Sequence, residues 1–127
     1  MSRRALGRLV GALIVVTALA ACTPEQQAAF ADLDRLNRGI LTLEQASRLR
    51  SCEAGGVYEA VSSTGKYRGA YQFDQSTWDG VASRHAPWLV GRHPAGAEPY
   101  WQDLLARALY SERGGGPWPT CRYSAGI

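Results

Sequence analysis

The chain has 127 residues with 14 Lys+Arg, 11 Asp+Glu and three cysteines. Arg3, Arg4 and Arg8 fall within the first 21 residues, so the remainder carries eleven charges of each sign and a formal net charge of zero. That balance excludes the broad basic face of a nucleic-acid partner. His85 and His93, read as exposed loop histidines, are too few to hold a metal, and no glycine-rich phosphate loop or Ser/His/Asp arrangement implies a cofactor or a serine nucleophile.

Residues 1–21 read as an export signal: a positive leading region, an apolar stretch from Leu9 to Ala20, then small residues. The stretch is shorter than the ~20 residues of a membrane-spanning helix, which leaves a retained membrane helix as the alternative. Leu19-Ala20-Ala21-Cys22 resembles the bacterial lipobox, whose cysteine is lipid-modified and becomes the first residue of the mature chain. Cysteine counting agrees, because a disulfide uses two of three cysteines and an exported free thiol is unusual. An ordinary signal cleaved near Ala21 is the competing reading. Lipidation of Cys22 would hold the protein on the outer face of the cytoplasmic membrane; without it the protein would be secreted. Residues 22–41 then form a lipidated tether with a helical portion, in which Phe30, Leu33, Leu36 and Ile40 share one side. This helix acts as a spacer or lies against the domain that follows.

Residues 42–123 make one domain of about eighty residues, a size at which burial alone leaves a thin stability margin. Cys52 and Cys121 are the available staple, and joining them is worth about 4 kcal/mol on the loop-entropy model. Thr42 with Gln45 forms a capping box, and Leu43, Ala46, Leu49 and Arg50 carry a helix that ends at Glu53, with Gly55 and Gly56 as its stop. Tyr58 to Arg68 reads as hairpin-like or irregular. Asp74 to Ser83 reads as a helix with Phe73, Thr77 and Val81 on one face; Asp74 is its cap and Asp79 a solvated surface charge. Pro87 and the Gly91–Pro99 stretch interrupt regular structure. A last helix from Tyr100 to Arg113 carries Trp101, Leu104, Leu105, Ala108 and Leu109 at core spacing, and Gly114-Gly115-Gly116 ends it. The fold class is mainly α (α+β).

Three segments carry a resemblance: Cys52-Glu53-Ala54-Gly55-Gly56, Gly69-Ala70-Tyr71-Gln72-Phe73-Asp74-Gln75-Ser76-Thr77-Trp78, and Pro117-Trp118-Pro119-Thr120-Cys121. In order and in cysteine placement they resemble the transglycosylase-like domain of the actinobacterial resuscitation-promoting factors, from near Leu41 to Cys121. The resemblance implies a small lysozyme-like domain stapled by one disulfide, Cys52 to Cys121, acting on peptidoglycan without a cofactor. It implies Glu53 as the catalytic acid, Tyr67 and Thr77 as residues lining the cleft, and Gln72 in the motif beside the glutamate. Trp78 reads as structural. No partner wall hydrolase is identifiable.

The residue chemistry supports that role for Glu53. A glutamate before two glycines at a helix end can face a cleft while the chain turns behind it. Cleaving a glycosidic bond needs a proton delivered to the leaving oxygen, which a glutamate in a partly apolar cleft can hold. Tyr58, Tyr67, Tyr71 and Trp78 are candidates for its wall. Glu59, Asp74 and Asp79 are candidates for a second carboxylate, but none stands where the resemblance implies a partner. A single acid favours a lytic transglycosylase, cutting between N-acetylmuramic acid and N-acetylglucosamine, over a hydrolase. A non-catalytic wall-binding or structural lipoprotein is the alternative from another class. Where the family carries a glutamine and Gly-Trp-Gly, this chain has Arg113 and Gly114-Gly115-Gly116, so an amide becomes a cation and an aromatic is lost. The segment from Asp79 to Tyr100 is also longer than the family's.

Cys22→Ser is expected to release or misprocess the protein, since acyl chains anchor by about 0.8 kcal/mol per buried methylene. Membrane fractionation with mass spectrometry of the N-terminal peptide checks this; unlipidated wild-type protein found wholly in the medium would contradict it.

Overall fold

Several helix boundaries among the described residues are set by a side chain or a glycine that answers unpaired backbone groups. The computed structural model describes residues 23–37 and 41–127; the segment read as an export signal, Cys22 and Ile40 lie outside the described residues, as do the side chains of Leu33 and Leu36. Helix α1, Pro24–Asn37, begins where Thr23 and Gln26 bond reciprocally: Gln26 N–H donates to Thr23 Oγ1 at 3.2 Å and Thr23 N–H to Gln26 Oε1 at 3.0 Å. Helix α2, Leu43–Ala54, starts on the Thr42/Gln45 capping box that its sequence predicts and stops at Gly55, whose φ of 62° supplies the left-handed cap. Its end lies one residue beyond Glu53. Helix α3, Gln75–His85, is capped by Asp74. Helix α4, Pro99–Arg113, opens with a proline in its first turn and closes at Gly114.

The α1 helix lies against α3 and α4. Its Phe30 ring stands 5.6 Å from that of Trp101 and 6.1 Å from that of Trp88, and Trp88 meets Trp101 edge-on at 5.5 Å. Between α2 and α3 the chain is irregular: among the described residues only isolated antiparallel bridges form, Val61 with Arg68 and Arg68 with Phe73. The hairpin-like segment is thus reduced to two bridges, and the fold is mainly helical, as the sequence pattern predicts. Trp78 is fully buried, donates its indole N–H to Leu89 O at 3.0 Å, and takes Phe73 edge-on at 5.3 Å. Leu104, Leu105, Ala108 and Leu109 of α4 fill the core beside it, with Trp101 partly buried.

Three features differ from the sequence expectation. A fifth helix, α5 at Cys121–Ala125, packs on α2, so the fold continues past Tyr123, with Ala125 buried and Ile127 against the core. Its five residues are too short to show a period. His85 is not an exposed loop residue; it closes α3, with Nδ1 3.1 Å from Asp32 Oδ2 of α1 and Nε2 2.6 Å from Glu112 Oε1 of α4. Asp79 is not a solvated charge, because its Oδ1 accepts from Gln75 Nε2 at 3.0 Å and from Gly91 N–H at 2.8 Å and so holds the loop after α3.

The Cys52–Cys121 disulfide joins the last turn of α2 to the start of α5 across 69 residues of sequence. At the other end of the same helix pair, Gln45 Nε2 donates to Gly126 O at 3.1 Å. Cys121→Ala is expected to lower the unfolding free energy by roughly 2–5 kcal/mol. Denaturant titration of oxidised protein reads this, and an unchanged midpoint would show that packing between α2 and α5 suffices.

Candidate active site

Glu53 is positioned by a polar cluster one turn earlier on the same helix. Arg50 Nη1 donates to Tyr71 Oη at 2.8 Å and to Asp103 Oδ1 at 3.1 Å, joining α2 to α4. Tyr71 Oη in turn donates to Asp103 Oδ1 at 2.7 Å, and Tyr58 Oη reaches the same carboxylate at 2.9 and 3.1 Å. Burial, followed by the bond to Asp103, pushes the Tyr71 phenol well above its ordinary range, so it stays a neutral donor. The Arg50 guanidinium also lies over the rings of Tyr58 and Tyr71 at 5.5 and 5.7 Å.

A second buried group sets the loop that faces this cluster. Gln102, 1% exposed, accepts from Ala70 N–H at 2.9 Å and donates to Ala97 O at 2.9 Å and Tyr58 O at 3.1 Å. A side chain at Gly69 would put its Cβ 2.5 Å from Gln102 Oε1, and the φ of 80° there is itself left-handed, so glycine is required. Three residues on, Gln72 has a φ of 53°, the only non-glycine residue with positive φ among those described. Its amide donates to Gly69 O at 2.9 Å. Strain of this kind concentrates at functional sites.

Gln72 lies in the lining of a groove of about 330 Å³, together with Tyr67, Asp74, Thr77, Arg113 and Trp118. The three residues expected to contact a ligand, Tyr67, Gln72 and Thr77, therefore come together on one surface. Glu53 is not in that lining. Its connection to the groove runs through the disulfide: its neighbour Cys52 is bonded to Cys121, two residues past the groove-lining Pro119. Trp118, also in the lining, donates its indole N–H to Tyr71 O at 3.0 Å and so links the groove to the polar cluster.

Glu53 is half-buried, and burial holds its carboxyl above the usual range; no cation or hydrogen-bond donor among the described residues offsets the shift. The expected aromatic wall is only partly present. Trp78 faces the core, Tyr58 is not in the lining and binds Asp103, and of the four candidates only Tyr67 and Tyr71 border the groove. Of the candidate second carboxylates, Asp74 lines the groove with both oxygens engaged by Thr77, from N–H at 2.7 Å and Oγ1 at 3.1 Å. Asp79 holds the loop, and Glu59 is exposed outside the lining. The sequence reading did not single out Gln102 or Asp103; their one signal is a pair of polar residues inside the core-spaced α4.

A few short helices, almost no strand among the described residues and a cross-linking disulfide make this a small lysozyme-like domain. Residues 43–121 match the Transglycosylase-like domain family, and the chain belongs to that family. It is similar to the "Probable transglycosylase SceD" proteins of Staphylococcus aureus strains Newman, USA300 and COL, each 44% identical over 68 residues. The match covers 54% of this chain and 28% of each of those relatives, under a third of their length.

A carboxyl whose folded pKa is raised binds its proton more tightly when folded, so stability is full below its unfolded value of about 4.3 and declines as pH rises through the higher folded value. Glu53→Gln is therefore expected to stabilise the protein at pH 7, by less than about 1 kcal/mol because the group is half exposed. The gain should vanish near pH 4. Thermal melts of both proteins at the two pH values check the sign, and a destabilised variant at pH 7 would mean that the charged carboxylate is paired.

Proposed function

We propose that this protein is an exported peptidoglycan-cleaving enzyme of the resuscitation-promoting-factor type, carried on a lipoprotein anchored through Cys22. It cuts the glycan bond between N-acetylmuramic acid and N-acetylglucosamine as a lytic transglycosylase with a single catalytic acid. The observation that carries this reading is Glu53: a half-buried carboxyl raised by burial, next to the cysteine whose disulfide partner, Cys121, follows two residues after the groove-lining Pro119. Membership of the Transglycosylase-like domain family and the likeness to SceD support it.

The chemistry needs one proton moved twice. Glu53, protonated, gives its proton to the bridging oxygen as the bond to C1 of N-acetylmuramic acid breaks and positive charge develops on the sugar. The resulting carboxylate then takes the proton of the C6 hydroxyl on the same sugar while that oxygen closes on C1. The products are a 1,6-anhydro end and a strand beginning with N-acetylglucosamine, and Glu53 is again protonated. No second acid is required, which accords with Asp74 being engaged as a helix cap. Tyr67 offers a ring face to a sugar, and Gln72 and Thr77 offer amide and hydroxyl groups to N-acetyl and hydroxyl substituents.

Glu53→Gln keeps the shape and removes the transferable proton, so cleavage of purified peptidoglycan is expected to fall by at least ~10²-fold with the fold intact. Wild-type activity should decline on the alkaline side through a raised carboxyl pKa, because the acid works only when protonated. Mass spectrometry of the products reads the reaction: anhydro ends support the transglycosylase, reducing ends a hydrolase. Absence of cleavage by wild type on every substrate would favour a wall-binding module, and near-normal cleavage by the variant would move the acid elsewhere.

A further inference from the structure

Among the described residues Arg113 is the one cation in the groove lining, and it is the last residue of α4. The negative end of the helix favours a basic residue in this turn, but that does not require it to border the groove. Charges near it are already used. The groove carboxylate, Asp74, accepts twice from Thr77. Its sequence neighbour Glu112 takes both guanidinium bonds of Arg84, at 3.0 and 2.6 Å, and also His85 Nε2. The Arg113 side chain is exposed and makes no hydrogen bond or ion pair among the described residues.

The rim beside it is bare backbone. Gly116 lines the groove, and at Gly115 an added Cβ would stand 3.1 Å from Arg122 Cβ and 3.3 Å from the Ile127 carbonyl carbon. The packing of α5 thus opposes a side chain there, and nothing at Gly115 or Gly116 shields the guanidinium from a bulky substituent on a bound strand.

We propose that Arg113 is a specificity-determining residue that takes a carboxylate carried by the glycan strand, an inference that rests on the peptidoglycan reading above. Two sources share this chemistry: the lactyl carboxylate of a muramic acid residue without its peptide, and a carboxylate of the stem peptide. A guanidinium offers either one paired N–H donors in fixed geometry.

The test uses the non-cleaving Glu53→Gln protein as the binding background. Affinity is measured for peptide-free glycan strands, for the same strands with lactyl carboxylates reduced to alcohols, and for peptide-bearing strands. Carboxylate-bearing strands are expected to bind about ten-fold tighter than reduced ones, with the ratio shrinking as salt rises. Adding Arg113→Gln should bring the ratio close to one, while Arg113→Lys keeps part of it. Preference for peptide-free over reduced strands assigns the lactyl group; preference appearing only with peptide-bearing strands assigns the stem. In the cleaving enzyme, Arg113→Gln should raise KM for the preferred strand more than it lowers kcat. A ratio unchanged by Arg113→Gln, or cleavage by wild type with no preference for carboxylate, would overturn this inference and leave the proposed function standing. Failure of wild type to bind or cleave any of the strands would overturn both.

Discussion

The carboxylate of Asp103 is the point on which the site depends. It accepts from Tyr58, Tyr71 and Arg50 at once, and these three belong to α2 and to the irregular segment that follows it. That segment has almost no ladder of its own, so its backbone is held from outside: by Asp103 through two phenols and by Gln102 through Ala70 and Tyr58. Adjacent residues of α4 therefore do for the loop what a sheet would otherwise do. A half-buried arginine–carboxylate pair alone is a weak source of stability, since desolvation offsets attraction. Surrounded by two phenols that complete its hydrogen bonding, it becomes a device for fixing geometry.

The consequence reaches Glu53 along α2. Arg50 fixes the helix one turn before the glutamate, and the disulfide fixes it one residue before, so the carboxyl is restrained without being bonded itself. Restraint through neighbours suits the proton-donor role proposed for Glu53, because a partner bonded to the charged form would lower the pKa that burial raises. The left-handed Gln72 fits the same frame: its turn follows Gly69, which must approach Gln102 closely, and the buried side of the loop enforces strain on the groove side.

What could be read from the sequence was local or periodic. The Thr42/Gln45 box, the glycine stop at Gly55, the Asp74 cap and the apolar spacing of α4 each act within a turn or two, and each appears in the structure. The staple was legible because the chain has three cysteines and one of them, Cys22, lies in the lipobox-like segment, which leaves Cys52 and Cys121. What was missed involves partners far apart in sequence: His85 finds Asp32 and Glu112, Asp79 finds the amide of Gly91, and Asp103 finds Tyr58. The groove residues could be named together only from the resemblance, since nothing local says that Tyr67 and Thr77 share a surface with Trp118.

Away from the groove, several polar groups meet partners across the fold: Arg84 with Glu112, His85 between Asp32 and Glu112, Arg50 with Asp103. Among the described residues, Glu53 has no offsetting cation and the groove-lining Arg113 no carboxylate. An uncompensated acid costs stability when buried, and an uncompensated base on a wet rim costs little, so the two are tolerated for different reasons. Pairing them with each other would have relieved the first cost, yet it would also have depressed the pKa of the acid. Their separate placement keeps Glu53 protonatable and leaves Arg113 open to a charge brought by a ligand.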